Sequence, residues 1–207
     1  MGDFSFSFKK PPSGGFQQPQ KNKFEAAENQ FNAIRGCGVT PYPKVTLATL
    51  TAGQEPSAFE ESPFALLLAI MGGTNEEGEP LSDDVWAFPL ACIAEEGHYS
   101  YVIGQFMRIA KGALPLEELA DSFDAENSQA TITFTLDGEA AEWTVAVEEG
   151  MIDAGVLTGL AEIAAARGDG ARFAWADIGE QRLLVFLNEQ DLGELAETTG
   201  MEWAFIE

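Results

Sequence analysis

Histidine occurs once in the 207 residues, as His98. Acid–base and metal chemistry near neutral pH leans on histidine, so its scarcity argues against most catalytic classes. Cysteine occurs twice, as Cys37 and Cys92, with no C-x-x-C. Neither a zinc knuckle nor a disulfide framework is expected, and two reduced thiols suit a cytoplasmic protein. Lys and Arg number 11 against 34 Asp and Glu, a net charge of −23. Phosphate backbones are bound by cations, so direct nucleic-acid binding is not expected. No run approaches the ~18 apolar residues of a membrane-spanning helix. The N-terminal Met1-Gly2-Asp3-Phe4-Ser5-Phe6-Ser7-Phe8-Lys9-Lys10 lacks the continuous apolar region of a secretory signal. The chain contains no G-x-S-x-G, G-x-G-x-x-G or G-x-x-x-x-G-K-[ST]. No cofactor and no metal is called for. Hydrophobic residues make up 45%, which is enough for a core and excludes wholesale disorder.

The charge is unevenly spread. Residues 1–44 carry six basic residues against three acidic ones, whereas 45–207 carry five against 31. This divides the chain into a basic arm rich in Pro, Gly and Gln (1–44) and an acidic body (45–207). Pro11-Pro12-Ser13-Gly14-Gly15 and Gln17-Gln18-Pro19-Gln20 read as flexible or polyproline-like chain. Phe4, Phe6 and Phe8 alternate with serines, the pattern of a short strand that could dock on a sheet edge of its own body or of another chain. Self-association through residues 1–23 is therefore a possible use of the arm. Phe24, Ala27, Phe31 and Ile34 have helical spacing, which predicts a short helix near 24–34.

In the body, β-branched alternation predicts a strand over Val45 to Thr51. Ser62-Pro63 reads as a helix start, followed by a buried apolar helix to Met71 that Gly72-Gly73 ends. Thr74 to Pro80 is an acidic loop. A helix is expected from about Tyr99 to Lys111, with Val102, Ile103, Phe106 and Ala110 inward, and a short acidic helix from Leu116 to Ser122. Thr131–Leu136 and Trp143–Val147 alternate around Asp137-Gly138, which predicts a hairpin. Asp153 caps a helix running to about Arg167. A second hairpin pairs Phe173–Ile178 with Leu183–Leu187, whose apolar character on both faces predicts an inner strand. Asn188 with Asp191 approximates a capping box for a helix that Gly200 stops. Glu202–Ile206 closes as a strand. The C-terminal half thus reads ββαββαβ, and the fold class is α+β. Residues 130–207 are expected to form one mixed or mostly antiparallel sheet with two helices packed on it.

Few residues suggest chemistry. Cys92 lies six positions from His98, but such a pair is recognised in space. Glu95-Glu96-x-His98 could supply hard metal ligands, and a solvated loop is the better reading. Trp143 and Trp175 sit in alternating strands and are expected in the core. Trp86 follows Asp83-Asp84 between apparent loops, and reads either as an exposed interface anchor or as a buried one.

The acidity has three readings: solubility, adaptation to salt, or complementarity to a basic partner. Salt adaptation fits poorly, because Glu outnumbers Asp 24 to 10 and Phe occurs 15 times. A small acidic α+β body without catalytic motifs, with acids beside an aromatic at Asp83-Asp84-Val85-Trp86, resembles bacterial immunity and antitoxin-type inhibitors. The resemblance is one of type and spans Val45 to Glu207. It implies a non-enzymatic protein that binds and blocks a basic partner such as a toxin or nuclease. The residues expected to meet partners are Asp83, Asp84, Trp86, Glu95 and Glu96, with Phe4, Phe6 and Phe8 on the arm. The alternatives are an assembly protein, such as a secretion chaperone or a phage-associated subunit, docking through the arm, and a small enzyme using carboxylates or Cys92.

Overall fold

The computed structural model describes residues 23–207. The first helix, α1, is Glu25–Gly36, with Glu25 and Glu28 in its first turn and Arg35 in its last, each favourable to the helix dipole. Ala27, Gln30 and Ile34 form its buried stripe. Gln30 donates from Nε2 to the Phe59 carbonyl at 2.7 Å and accepts from the Phe64 N–H at 3.2 Å. A buried amide is thereby satisfied at both ends while it ties α1 to the following helices.

The strand expected over Val45 to Thr51 is a short helix, α2 (Leu47–Leu50). Thr46 accepts from the Thr49 N–H, and the Thr49 hydroxyl accepts from the Thr46 N–H, which closes a reciprocal cap. The β-branched residues that suggested a strand serve here as caps. Ser62 does not start a helix either. It ends α3 (Ala58–Glu61), its N–H returning to the Ala58 carbonyl, and α4 (Ala65–Met71) begins after Phe64 at φ 62°. Gly72 ends α4, and its carbonyl accepts from the N–H of Ala87 at 2.9 Å. A Cβ at Gly72 would lie 2.5 Å from that nitrogen, so only glycine permits the approach.

The remaining elements are β1 (Val85–Pro89), α5 (His98–Ile109), β2 (Leu116–Asp124), β3 (Gln129–Leu136), β4 (Glu139–Ala146), α6 (Ala154–Ala165), β5 (Arg172–Ile178), β6 (Gln181–Leu187), α7 (Glu189–Thr199) and β7 (Ala204–Phe205). The class is α+β, and the C-terminal order ββαββαβ holds. The strands do not form one sheet, however. They form two antiparallel sheets, ordered β1-β6-β5-β7 and β2-β3-β4. Each hairpin recruited a strand from earlier in the chain, β2 for the first and β1 for the second. Leu183–Leu187, in β6, is an inner strand, flanked by β1 and β5.

The segment Leu116 to Ser122, expected as a helix, lies within β2. Leu116, Leu119 and Phe123 satisfy a helical spacing as well as the half-buried face of a strand, and pairing with β3 decides between them. Asp121 in β2 also supplies what α5 lacks. Gly97 at the start of α5 has no capping side chain, and the Asp121 carboxylate accepts from the N–H groups of Gly97 at 2.9 Å and Ser100 at 3.0 Å.

The four-stranded sheet is the middle layer. Val85, Ala174, Leu183 and Val185 face a core built with α1–α4 and α7. Trp86, Phe88, Phe173 and Leu184 face a second core built with α5, α6 and the three-stranded sheet. Ala27, Ile34, Cys37 and Val39 belong to the first core, so α1 and the segment after it pack against residues beyond Lys44. Replacing Asp121 by Ala is expected to cost about 1–2 kcal/mol in urea unfolding, through loss of charge-assisted capping, with an unchanged denaturant slope.

Candidate functional site

The structure redistributes the residues expected to meet a partner. Trp86 is 4% exposed, stacked on Phe88 with ring centroids 4.1 Å apart and edge-on to Phe106. It is a core residue, because the segment read as flanked by loops is strand β1 with an α-layer on one side and α5 on the other. Asp84 is also buried. Its Oδ2 accepts from the Thr40 N–H and hydroxyl, both at 2.7 Å, and its Oδ1 pairs with Lys111. Asp83 accepts from the Tyr42 hydroxyl and lies 3.5 Å from Arg108, which donates to the Ser82 carbonyl. Ser82 donates to the Thr40 carbonyl at 2.6 Å. Partial burial and the adjacent Asp83 carboxylate raise the pKa of the Tyr42 phenol. These groups latch residues 40–42 to the start of β1 and the end of α5. Their charges are engaged within the chain.

Glu95 and Glu96 are exposed in the loop before α5. Glu95 lies 3.4 Å from His98 Nε2, while His98 Nδ1 accepts from the Ala94 N–H at 3.0 Å. Phe4, Phe6 and Phe8 lie outside the described residues. Burial pushes the half-buried Cys92 thiol up to about 11, and Cys37 is buried, its thiol donating to the Ala33 carbonyl and the Thr198 hydroxyl. A raised thiol pKa is the reverse of what a nucleophilic cysteine needs. Among the described residues no group of three or more His, Cys, Asp or Glu could hold a metal ion, and no helix is long and apolar enough to cross a membrane.

The basic residues of 45–207 are all occupied. Arg108 and Lys111 serve the latch, Arg167 pairs with Asp137, Arg182 pairs with Asp177 at 2.6 Å, and Arg172 lies over the Phe205 ring at 3.7 Å. Arg182 also covers the half-buried Trp175 at 3.9 Å. The Asp177 carboxyl is held below its ordinary pKa by the Arg182 hydrogen bond.

Sequence reasoning missed a groove between β4 and α6. It has a volume of about 610 Å³ and includes Trp143, Val145, Gly155, Gly159 and Ile163, with Glu142, Asp153 and Glu162 on its rim. It exists because α6 presents glycine where it meets the tryptophan. A Cβ at Gly159 would stand 3.0 Å from the Trp143 ring. Trp143, expected in the core, is half-buried: its ring meets Phe134 edge-on at 4.8 Å and lines the groove. A second hollow continues past the end of β4 along Glu148, Glu149, Met151 and Ile152, sharing Asp153. Met151 is 43% exposed there. Glu142, Glu148, Glu149, Asp153 and Glu162 form no ion pair among the described residues, and no Lys or Arg lines either hollow. The hairpin and the Asp153 cap were legible in the sequence. Their adjacency was not, because it depends on how α6 returns across the hairpin.

No family model, curated protein or solved structure matches the chain.

Two measurements check this account. Asp84→Ala is expected to cost about 2–3 kcal/mol of stability in chemical denaturation, because it unpairs buried donors. Lys111→Met is expected to cost under about 1 kcal/mol, since that ammonium is 58% exposed. Labelling of Cys92 at pH 8, followed on its peptide by mass spectrometry, should run about a hundredfold slower than an ordinary thiol, the effect of a rise from 9.0 to about 11. The rate should climb as pH approaches 11, as thiolate forms.

Proposed function

We propose that this chain is a non-enzymatic acidic binding protein that captures and blocks a basic protein partner, in the manner of an inhibitor or immunity protein. One observation carries the reading. Each Lys and Arg of residues 45–207 is committed to an internal contact, while the carboxylates along the β4–α6 groove have no cationic partner among the described residues. A surface so arranged presents uncompensated negative charge beside apolar side chains. The charge steers a cationic partner and raises its association rate, and the apolar groove slows its departure. A toxin or nuclease whose own groove expects phosphate has the complementary sign. The contact surface assigned here is the groove, in place of Asp83, Asp84 and Trp86, which are engaged within the fold.

Capture from a native lysate at low salt, with identification of the bound protein, should return a basic protein whose activity the complex suppresses. Its association rate should fall about tenfold or more as salt rises from 0.05 to 0.5 M, through screening. Replacing Glu148 and Glu149 together by Gln should slow association at low salt and flatten that dependence. Equal rates for wild type and the Gln pair at low salt would refute the electrostatic mechanism. Turnover of a small molecule by the isolated protein would refute the class.

A further inference from the structure

Among the described residues, four strands form the outer edges of the two sheets, and three of them are closed to pairing. The outer edge of β1 is covered where the Ala87 N–H donates to Gly72, which packs against it. Strand β7 is two residues long. The pairing of β2 with β3 shifts register between Glu117 and Ala120, with Glu118 at φ 51°, and such a bulge spoils an edge as a template. Strand β4 has none of these protections. It runs for eight residues in unbroken register with β3, and among the described residues its other side has no neighbouring strand.

The register fixes which groups face outward. Asp137 and Gly138, both at positive φ, form a two-residue turn that makes Leu136 and Glu139 a hydrogen-bonded pair. Ala141, Trp143 and Val145 therefore bond to β3, and the Val147 N–H continues the series to Ser128 at 2.8 Å. The N–H and C=O groups of Ala140, Glu142, Thr144 and Ala146 point away from β3, along the open edge. Trp143 and Val145 line the groove towards α6, and Glu142 and Thr144 flank it.

Building on the reading above, we infer that β4 is a strand-addition site: an extended cationic segment of the partner pairs with this edge. The partner's alternate apolar side chains lie over Trp143 and Val145. Its intervening cations sit beside Glu142, and a cation beyond the strand meets Glu148 and Glu149. Backbone pairing supplies affinity, and the groove and carboxylates select sequence.

A capped nine-residue peptide of alternating Val and Lys is the probe, titrated into the full-length protein with amide exchange read residue by residue. The amides of Ala140, Glu142, Thr144 and Ala146 should gain protection. The same peptide N-methylated at every residue, with no N–H left along either edge to pair, should bind at least about tenfold more weakly. Thr144→Pro should weaken the unmodified peptide by a similar factor. Its missing N–H faces outward, so no bond to β3 is lost. Equal binding of the two peptides, or protection elsewhere, overturns strand addition; if salt-dependent binding persists, charge-driven capture stands without it. Absence of salt-dependent binding by either peptide overturns both. If the four amides are already protected in the free protein and are released by Phe4→Ser, Phe6→Ser and Phe8→Ser together, the edge is taken by the chain's own N-terminus and the partner-strand proposal fails.

Discussion

Strand β6 must be buried on both faces, and the rest of the architecture follows from that requirement. Leu183, Leu184 and Val185 are consecutive and fully buried. Successive residues of a strand face opposite sides, so such a run needs a neighbour on each edge and a layer on each face. Strands β1 and β5 provide the neighbours. Helices α1–α4 and α7 cover Leu183 and Val185, while α5, α6 and the second sheet cover Leu184. Separating the first hairpin from the second is part of the same solution, because β6 pairs with β1 rather than with anything in residues 130–146. The second core then needs its own sheet, and β2 joins β3 and β4 to make it.

The few cations act as fasteners at the junctions of this arrangement. Arg108 and Lys111 join the end of α5 to the start of β1, Arg167 joins the end of α6 to the turn of the first hairpin, and Arg172 lies over Phe205 where β7 pairs with β5. Each of these ion pairs is neutral, so the net negative charge of the body rests on carboxylates that have no cation beside them. The self-repulsion this brings is tolerable because two cores hold the body together, and it leaves a field that discriminates by sign. The latch at Asp83 and Asp84 and the groove at β4 thus have a common origin: the same shortage of cations makes one internal and leaves the other uncompensated.

The β4 edge and the α6 glycines form one device. A bulkier residue at Gly159 would press on Trp143, closing the groove or displacing the helix. The open register of β4 offers backbone groups, the groove offers apolar contact, and the carboxylates offer a field. Each alone is an ordinary surface feature. Together they suit the extended, positively charged partner proposed above.

Local features were legible from the sequence wherever a residue acts on its own neighbours. Asp137-Gly138 sets a tight turn, Asp153 and Asn188 cap helices through their own side chains, Gly200 ends α7 at φ 65°, and the apolar run of β6 announces an inner strand. The α+β class followed from these. Reading failed where two local solutions were nearly equal. Thr46 and Thr49 suit a strand or a reciprocal cap, and Leu116 to Phe123 suits a helix or a half-buried strand. Trp86 beside two acids resembles an exposed anchor until its strand is seen between two layers. Those choices, the division into two sheets and the groove beside β4 were decided by contacts between residues far apart in the chain. Periodicity and capping carry no information about which strand will find which partner, so the tertiary structure alone settled them.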